Sequence, residues 1–403
     1  MRICFFEDET AAHFYPLALT RPVDDLRVGI LTLREKWLSA LDTQHYIRKT
    51  RPHLSGLFAA GEVEEGEDYL WINPRFLPDD ALIKLTHSLE LNEGFVSNGY
   101  FVAARTDART TRSWINDEAG MFSGVSKNWL HQATEIHHIW ELMTLNGAEI
   151  KADIQRLSSA PGKPKSLGHS ENRILEHPQN IYMEQGASLG PGVIINAENG
   201  PVYLGQDAKI MAGAMIEGPV AIGAGSTVKM GAKIYENTSI GPVCKVGGEV
   251  EDTVFHSYSN KPHDGFVGHS LIGQWCNLGA DTNTSDLKNN YGTIKIYDYT
   301  QNRFTDAGQQ FLGTIMGDHS KTSINCMLNT GTVVGVSCNI FSGDFPPKHI
   351  PSFSWVGTGS METYRFDKAL ETMQRMMGRR DVELSSEYHR MMQQVLVMSQ
   401  NSG

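Results

Sequence analysis

A six-residue rhythm of aliphatic side chains runs through the middle of the chain. From Leu204 to Val246 every sixth position is aliphatic, and the residue four positions after each is small or β-branched. The rhythm resumes between Met316 and Ile340. A six-residue period fits neither the 3.6-residue turn of an α-helix nor the alternation of a simple strand. The first series is Leu204, Ile210, Ile216, Ile222, Val228, Ile234, Ile240 and Val246.

This period predicts a solenoid with three short, flat strands in each coil. The aliphatic residue of each strand points inward, and the small residue fits the tight corner beside it. Glycine follows several of the aliphatic positions, as sharp corners prefer. The pattern is the hexapeptide signature of a left-handed parallel β-helix, an exception to the usual handedness of parallel crossovers. We assign residues 179–360 to this β-helix.

The segments around the repeat have different patterns. Residues 1–157 alternate strand-like and helical runs, which predicts an α/β domain with a Rossmann-like layered sheet. Residues 158–178 are rich in Gly, Pro, Ser and Lys and are the predicted linker. Residues 361–403 form a predicted helical tail rich in methionine. Predicted strands are Arg2–Phe6, Tyr69–Ile72 and Gly94–Ala104, and predicted helices are Val28–Leu41, Ile136–Leu157, Phe366–Gly378 and Leu384–Met398.

Charge and composition exclude several classes of protein. Lys and Arg number 35 against 46 Asp and Glu, which argues against a nucleic-acid surface. No apolar run approaches the length of a membrane span, and the first residues do not resemble a signal peptide. The five cysteines are scattered and show no zinc spacing. We therefore expect a cytoplasmic protein with neither nucleic acid nor membrane as a partner.

The repeat breaks at SYSNKPHDGFVGHSLIG, where Lys261, His263, Asp264 and His269 appear. A single β-helix has flat outer faces and no pocket. Hexapeptide proteins commonly form trimers, so that active sites lie between adjacent prisms. We interpret residues 250–266, and the longer excursion 281–313, as interruptions that supply walls and catalytic groups. The expected assembly is a homotrimer.

The run NKPHDGFVGHSLIGQWCNLGADTNTSDLKNNYG resembles the acetyltransferase half of the bifunctional GlmU-type enzymes. Those enzymes make UDP-N-acetylglucosamine from glucosamine-1-phosphate. The motif spacing holds without a gap from His263 to Ala280, whereas the motif lysine is shifted to Lys261. The runs PLALTRPVDDLRVGILTLREKW and LWINPRFLP resemble a divergent uridyltransferase half of the same family.

The resemblance implies acetyl transfer from acetyl-CoA to the amine of glucosamine-1-phosphate. A base must take the amine proton, and an imidazole with its ordinary pKa of about 6.5 is suited to that task. His263 is the implied general base, with Glu249 orienting its ring. Phe266 stands where the family has a tyrosine, so one hydroxyl contact is missing. The implied sugar-phosphate contacts are Lys229, Asn277 and Lys295, and the implied acetyl-CoA contacts are Ala280, Asn290, Tyr291 and Ser323.

The resemblance also implies transfer of UMP from UTP by the N-terminal domain, assisted by Mg²⁺. Ordinary sugar nucleotidyltransferases bind the triphosphate with a glycine-rich loop. This chain has no glycine before Arg21, and it has Asn-Pro-Arg where the metal-binding aspartate is usual. The expected phosphate contacts are Arg21, Arg27 and Lys36, and Asn73 is expected near the same nucleotide site.

Two other interpretations stay open at this point. One is an acyltransferase acting on a sugar phosphate or nucleotide sugar, with an N-terminal domain that does not catalyse. The other is a non-catalytic hexapeptide scaffold. Residues six apart in a three-sided solenoid lie on different faces, so we expect no metal site within one subunit. A metal site between subunits stays open for the histidines His256, His263, His269 and His319.

Overall fold

The computed structural model describes residues 1–58, 61–117, 120–130, 133–158, 165–166 and 174–401. Most of the predicted linker, residues 158–178, lies outside the described residues. The chain forms two compact units. The first contains Met1–Phe14, Arg21–Leu26 and Leu31–His137, and the second contains Tyr15–Thr20, Arg27–Ile30 and the chain from His138 onward. The predicted sequence of α/β domain, left-handed β-helix and C-terminal helices is confirmed. The predicted domain boundaries stay a prediction.

The first unit is built on a mixed six-stranded sheet in the order β2-β1-β3-β5-β4-β6. β1 is parallel to both β2 and β3. Four consecutive residues of β1, Ile3 to Phe6, are buried, because side chains cover the sheet on both faces. The strands are β1 (Arg2–Phe6), β2 (Tyr46–Lys49), β3 (Asp68–Ile72), β4 (Glu93–Ser97), β5 (Tyr100–Asp107) and β6 (Ser126–Trp129), and the α-helices are α1 (Leu33–Ala40), α2 (Asp80–Ser88) and α3 (Ala108–Ile115).

Three predicted elements of the N-terminal region differ in their limits. The strand predicted at Gly94–Ala104 is two antiparallel strands, because Asn98 and Gly99 adopt φ of 51° and 90°. Two successive positive φ angles are typical of a tight hairpin turn. The helix predicted from Val28 begins at Leu33, where Thr32 and Glu35 form a capping box. The helix predicted over Ile136–Leu157 is two helices of the second unit, α4 (Glu141–Thr144) and α5 (Asn146–Ser158).

The chain also contains short 3₁₀ helices. They are Glu9–Phe14, Leu17–Leu19, Val23–Asp25 and Pro178–Asn180.

Most of the second unit is a three-sided prism of parallel strands, whose faces we call first, second and third. The first face contains Ser188–Leu189, Lys209–Ile210, Thr227–Val228, Lys245–Val246, Asn260–Lys261, Lys321–Thr322, Asn339–Phe341, Ser354–Gly357 and the antiparallel Ser360–Thr363. The second contains Ile174–Glu176, Ile194–Asn196, Met215–Glu217, Lys233–Ile234, Glu249–Glu251, Phe266–Gly268, Asn283–Thr284 and Met327–Leu328. The third contains the antiparallel Lys165–Ser166 and the parallel Ile181–Met183, Val202–Leu204, Val220–Ile222, Thr238–Ile240, Val254–Ser257, Leu271–Gln274, Thr314–Met316, Thr332–Val334 and His349–Ile350.

The hexapeptide prediction is confirmed position by position. Every aliphatic residue of the series from Leu204 to Val246 is at most 2% exposed and belongs to one core cluster. The small residues of the corners are buried as well, among them Cys244, Cys276 and Cys338. The burial of apolar side chains along the axis of the prism is the main stabilising contribution to this unit.

The interruption predicted at residues 250–266 is wrong. The strands on either side still pair in parallel, so the prism is not interrupted there. Lys245 pairs with Asn260, and Ser239 pairs with Val254. This coil therefore has 15 residues instead of 18. The next has 17, since Val254 pairs with Leu271, and the six-residue count fails although the fold continues.

The excursion predicted at 281–313 is real. Leu271 pairs with Ile315, so 44 residues separate neighbouring strands there. Part of the inserted chain forms a hairpin of Lys295–Asp298 with Arg303–Asp306. The tail is two helices, α6 (Phe366–Gly378) and α7 (Ser386–Asn401). Its methionines Met373, Met377, Met391 and Met392 are buried. No helix in the described part of the chain has the length and hydropathy needed to cross a bilayer.

Candidate functional site in the shortened coils

A lysine takes the place of an aliphatic residue inside the prism at the shortened coil. Lys261 pairs with Val246 and is 1% exposed. Burial lowers the pKa of Lys261 to about 8, against the opposing charges of Asp264 and Asp281. Its ammonium donates to the backbone oxygen of His263 at 3.0 Å. The buried cation therefore fixes the turn that carries His263.

A glycine on the preceding coil leaves room for this arrangement. Gly248 has a φ of 71°. A Cβ atom there would lie 2.7 Å from the ammonium of Lys261 and 2.9 Å from the backbone oxygen of His263. Both the backbone angle and the close approach require glycine.

His263 lies exposed at the corner between the first and second faces, between the strands Asn260–Lys261 and Phe266–Gly268. Its imidazole makes no hydrogen bond to any residue that the structure describes. The site thus presents an accessible imidazole on a backbone held from below.

Within one chain, Glu249 makes no hydrogen bond or ion pair to this imidazole. Its carboxylate accepts from the ammonium of Lys233 at 3.1 Å. Lys233, Glu249 and Phe266 form one column on the second face, so Glu249 lies beside the turn. The orienting role of Glu249 stays a prediction.

A second histidine, at the next corner between the second and third faces, is held by carboxylates, and the sequence reasoning missed this arrangement. Nδ1 of His269 lies 2.7 Å from Asp286, and Nε2 lies 3.7 Å from Asp252. Burial alone would lower the pKa of His269, but the bond to Asp286 and the nearby carboxylates outweigh it and raise the pKa. The signal in the sequence is the spacing of 17 residues between His269 and Asp286, about one coil.

The four histidines considered for a metal are not brought together. His256 contacts Ser257, His269 contacts Asp286, and His319 contacts Tyr388. Among the described residues, the four do not form a group whose ligand atoms could share one ion.

The implied sugar-phosphate contacts are divided between two places. Lys229 and Asn277 both lie by the first face, where Asn277 bridges Asn260 and Lys321. The charge of Lys229 acts on Lys245 of the same face. Lys295 lies instead on the hairpin of the excursion, where it pairs with Asp306.

The implied acetyl-CoA contacts also form two groups. Ala280 and Ser323 belong to neighbouring coils, since Ala280 accepts from the amide of Asn325 and Gly279 packs on Ser323. Asn290 and Tyr291 belong to the excursion, where Tyr291 is 68% exposed. Asn290 lines a cavity of about 530 Å³ that also contains Lys288.

The implied nucleotide contacts in the first unit are buried. Asn73 and Arg21 are each 1% exposed, and Lys36 is 0% exposed within α1. Asn73 donates to Asp8 at 2.7 Å, across the carboxyl ends of the parallel strands β3 and β1. Ligands of α/β sheets commonly bind at such ends. Arg27 belongs to the second unit, where it donates to the backbone oxygens of His256 and Ile30.

Mg²⁺ does not fit the carboxylates at this edge of the sheet. Asp8 accepts from Asn73 and from Arg75. Glu7 accepts from Arg51, and from the amide of Val23. A cation ligand must offer free oxygen atoms, whereas these oxygens already face guanidinium groups.

Comparison with known proteins gives one family match and several similar proteins. Residues 3–160 match the family described as sugar nucleotidyl transferase. A bifunctional GlmU protein of Methanocaldococcus jannaschii is 31% identical over 123 residues, which are 30% of this chain and 28% of that protein. The predicted resemblance to GlmU-type proteins is confirmed.

Two further relatives are also named as bifunctional proteins. A bifunctional sugar-1-phosphate nucleotidylyltransferase/acetyltransferase of Sulfurisphaera tokodaii is 32% identical over 146 residues, 36% of each chain. A bifunctional GlmU protein of Synechococcus elongatus is 26% identical over 198 residues, 44% of this chain and 39% of that protein. The alignments thus span well under half the length of these relatives.

Proposed function

We propose that the chain is a bifunctional transferase of UDP-N-acetylglucosamine synthesis. The second unit acetylates glucosamine-1-phosphate with acetyl-CoA, and the first transfers UMP from UTP to the N-acetylated product. The sugar nucleotidyl transferase match to residues 3–160 supports the transfer of UMP by the first unit. The names of the relatives support the combination of the two reactions.

One observation carries the acetyl-transfer half: the exposed imidazole of His263 on a turn fixed by the buried ammonium of Lys261. A general base must reach its substrate while its backbone stays in place. The turn meets both requirements, and the resemblance assigns the base to this position.

The proposed reaction needs one base and no metal. Nε2 or Nδ1 of His263 accepts a proton from the sugar amine as the amine nitrogen attacks the thioester carbonyl. The C–N bond forms, and the tetrahedral intermediate collapses as the C–S bond breaks. The proton on the imidazolium then goes to the departing thiolate, which leaves as CoA. Lys229 and Asn277 bind the sugar phosphate, and Ala280, Asn290, Tyr291 and Ser323 bind acetyl-CoA.

We propose a homotrimer in which this site is completed by a neighbouring prism. The prism exposes several large apolar side chains, including Ile194, Met215 and Ile324 at 38%, 41% and 66% exposure. Ile194 and Met215 are neighbours on the second face, and adjacent exposed apolar side chains are typical of surfaces that a second chain covers. Sedimentation equilibrium should give the mass of three chains, and a monomer at all concentrations would contradict the proposal. A cytoplasmic location stays a prediction.

The test compares both reactions in one preparation. The wild type should release CoA from acetyl-CoA with glucosamine-1-phosphate, and pyrophosphate from UTP with N-acetylglucosamine-1-phosphate. His263→Ala should lose about 10²- to 10⁴-fold in acetyl transfer, the usual effect of a general base, and keep the release of pyrophosphate. His87→Ala is the matched control, since His87 is exposed on α2 of the first unit.

An unchanged rate of acetyl transfer in His263→Ala would remove His263 from this role. The second candidate function is an acyltransferase with a non-catalytic first unit. It is favoured by the arginine contacts that occupy the carboxylates of Glu7 and Asp8. CoA release without any pyrophosphate release would select this alternative.

A further inference from the structure

A cavity of about 600 Å³ lies against the first face of the prism, and all of its lining residues belong to the second unit. Its floor is a ladder of four polar residues on successive coils. Lys245 pairs with Asn260, Asn260 bridges Asn277, and Asn277 bridges Lys321. Neighbouring strands lie about 4.8 Å apart, so the two lysines at the ends are roughly 14 Å apart. The hexapeptide pattern places all four on the outside of the prism.

The opposite wall is the carboxyl end of α6. Arg375, Arg379 and Arg380 line the cavity from there. Arg380 donates to the side-chain oxygen of Asn260 at 3.2 Å, which joins the end of the helix to the ladder. Basic residues are favourable at the carboxyl end of any helix. That preference accounts for the arginines but not for the lysines that face them from the strands.

The cations of this cavity crowd one another. Arg375 pairs with Glu371, whereas within the described chain Lys245, Lys321, Arg379 and Arg380 have no carboxylate partner. The charge of Arg380 is the largest cause of the lowered pKa of Lys245, followed by burial and by Lys229 and Arg379. Burial also lowers the pKa of Lys321, to about 8. An anion in the cavity would relieve the repulsion that Arg380 and Arg379 exert on Lys245.

We propose that this cavity binds a phosphorylated ligand, with the phosphoryl oxygens held by Lys245, Arg379 and Arg380. Guanidinium groups bind phosphate oxygens with paired, charge-assisted bonds. The volume is typical of a small-molecule site. Tyr258 and Trp275 are stacked at 4.2 Å and line the same cavity. Trp275 is itself only 3% exposed, so the ring of Tyr258 offers the apolar surface to the sugar or base of the ligand.

The phosphoryl group has two possible sources, a sugar phosphate or the diphosphate of a nucleotide. The cavity shares Asn277 with the proposed acetyl-transfer site. The proposal for this cavity concerns binding alone and does not require that acetyl transfer occur. The cavity is formed within one chain, so it also does not require the trimer.

Calorimetric titration of the full chain tests the proposal. Separate titrations use pyrophosphate, glucosamine-1-phosphate and CoA. The double variant Lys245→Ala/Arg379→Ala should weaken one pyrophosphate binding event about 100-fold, since two bonds to charged groups are lost. Any binding event of the first unit should remain. The control Lys209→Ala/Arg365→Ala removes the same charge from exposed positions, of which Arg365 pairs with Asp367, and should bind as the wild type does.

Both substituted residues of the pocket are exposed, so the double variant should fold, and its circular dichroism should match that of the wild type. Binding of glucosamine-1-phosphate that is lost in the double variant would support the proposal and identify the sugar phosphate as the source. The same result with CoA would support it and identify the nucleotide. Identical binding of every probe by the wild type and the double variant would overturn it, as would an equal loss in the control.

Discussion

At the scale of single residues, Lys261 fixes the backbone of the candidate acetyl-transfer site. A lysine in a column of aliphatic side chains is costly, because burial disfavours the charged form. Among the residues described, the hydrogen bond of its ammonium goes to the backbone oxygen of His263. A cation therefore lies in an energetically unfavourable buried position, where it holds the turn of His263.

This cost predicts a pH dependence. The pKa of Lys261 is lowered to about 8 in the folded chain from the ordinary 10.5. Between these values the unfolded chain binds the proton and the folded chain does not, so stability contributed by this position rises with pH. From pH 7 to pH 10 the wild type should gain about 1–3 kcal/mol relative to Lys261→Met, measured by urea unfolding.

The matched control for this measurement is Lys209→Met, at an exposed lysine on the same face. It should track the wild type at both pH values. If Lys261→Met tracked the wild type as well, Lys261 would not be a buried cation, and the turn of His263 would not be held by it.

At the scale of elements, the sequence pattern and the structure agree wherever the coil has its full length. The inward positions from Leu204 to Val246 could be predicted, because an outward aliphatic or an inward charge is costly at each of them. The shortened coil could not be predicted, because the loss of three residues at the corners shifts the count without ending the pairing. The hairpin at Asn98-Gly99 was predictable from that dipeptide, and the single strand predicted there was wrong.

The turn of His263 is tested through the glycine below it. Gly248→Ala would place a methyl group 2.7 Å from the ammonium of Lys261 at a φ of 71°. Gly213 has the same φ of 71°, but a methyl group there would have no atom within 4 Å among its neighbours. Both variants should lose about 1 kcal/mol of stability for the backbone angle. Acetyl transfer should fall by about tenfold or more in Gly248→Ala alone, since misplacement of a catalytic group is costly.

Equal rates of acetyl transfer in Gly248→Ala and Gly213→Ala would show that the position of the turn does not matter for the reaction. Such a result would also separate His263 from the support that Lys261 gives it.

At the scale of the whole molecule, the candidate site could be predicted only in part. The motif spacing led to His263, which lies at the corner between the first and second faces, and to Asn277, which lies on the first face. It could not show that Glu249 is paired with Lys233, because both are outward residues whose partners depend on the stacking of coils. It also missed the arginines of α6, because a tail of 43 residues carries no repeat that fixes its position.

The two proposed reactions, UMP transfer and acetyl transfer, are assigned to different units of the chain. Residues 3–160, most of which lie in the first unit, match a sugar nucleotidyl transferase family, and the second unit carries the exposed histidine and the basic cavity. Each proposed reaction can therefore be lost without the other, which makes the account open to direct test by substitutions in one unit at a time.

Chemical rescue of His263→Ala tests the central claim most directly. Acetyl transfer to glucosamine-1-phosphate would be measured for His263→Ala and for His87→Ala, with and without added imidazole. If His263 is the base, imidazole should restore a substantial part of the lost rate in His263→Ala, and it should leave His87→Ala unchanged. A His263→Ala protein that transfers acetyl groups at the full rate without imidazole would contradict the account.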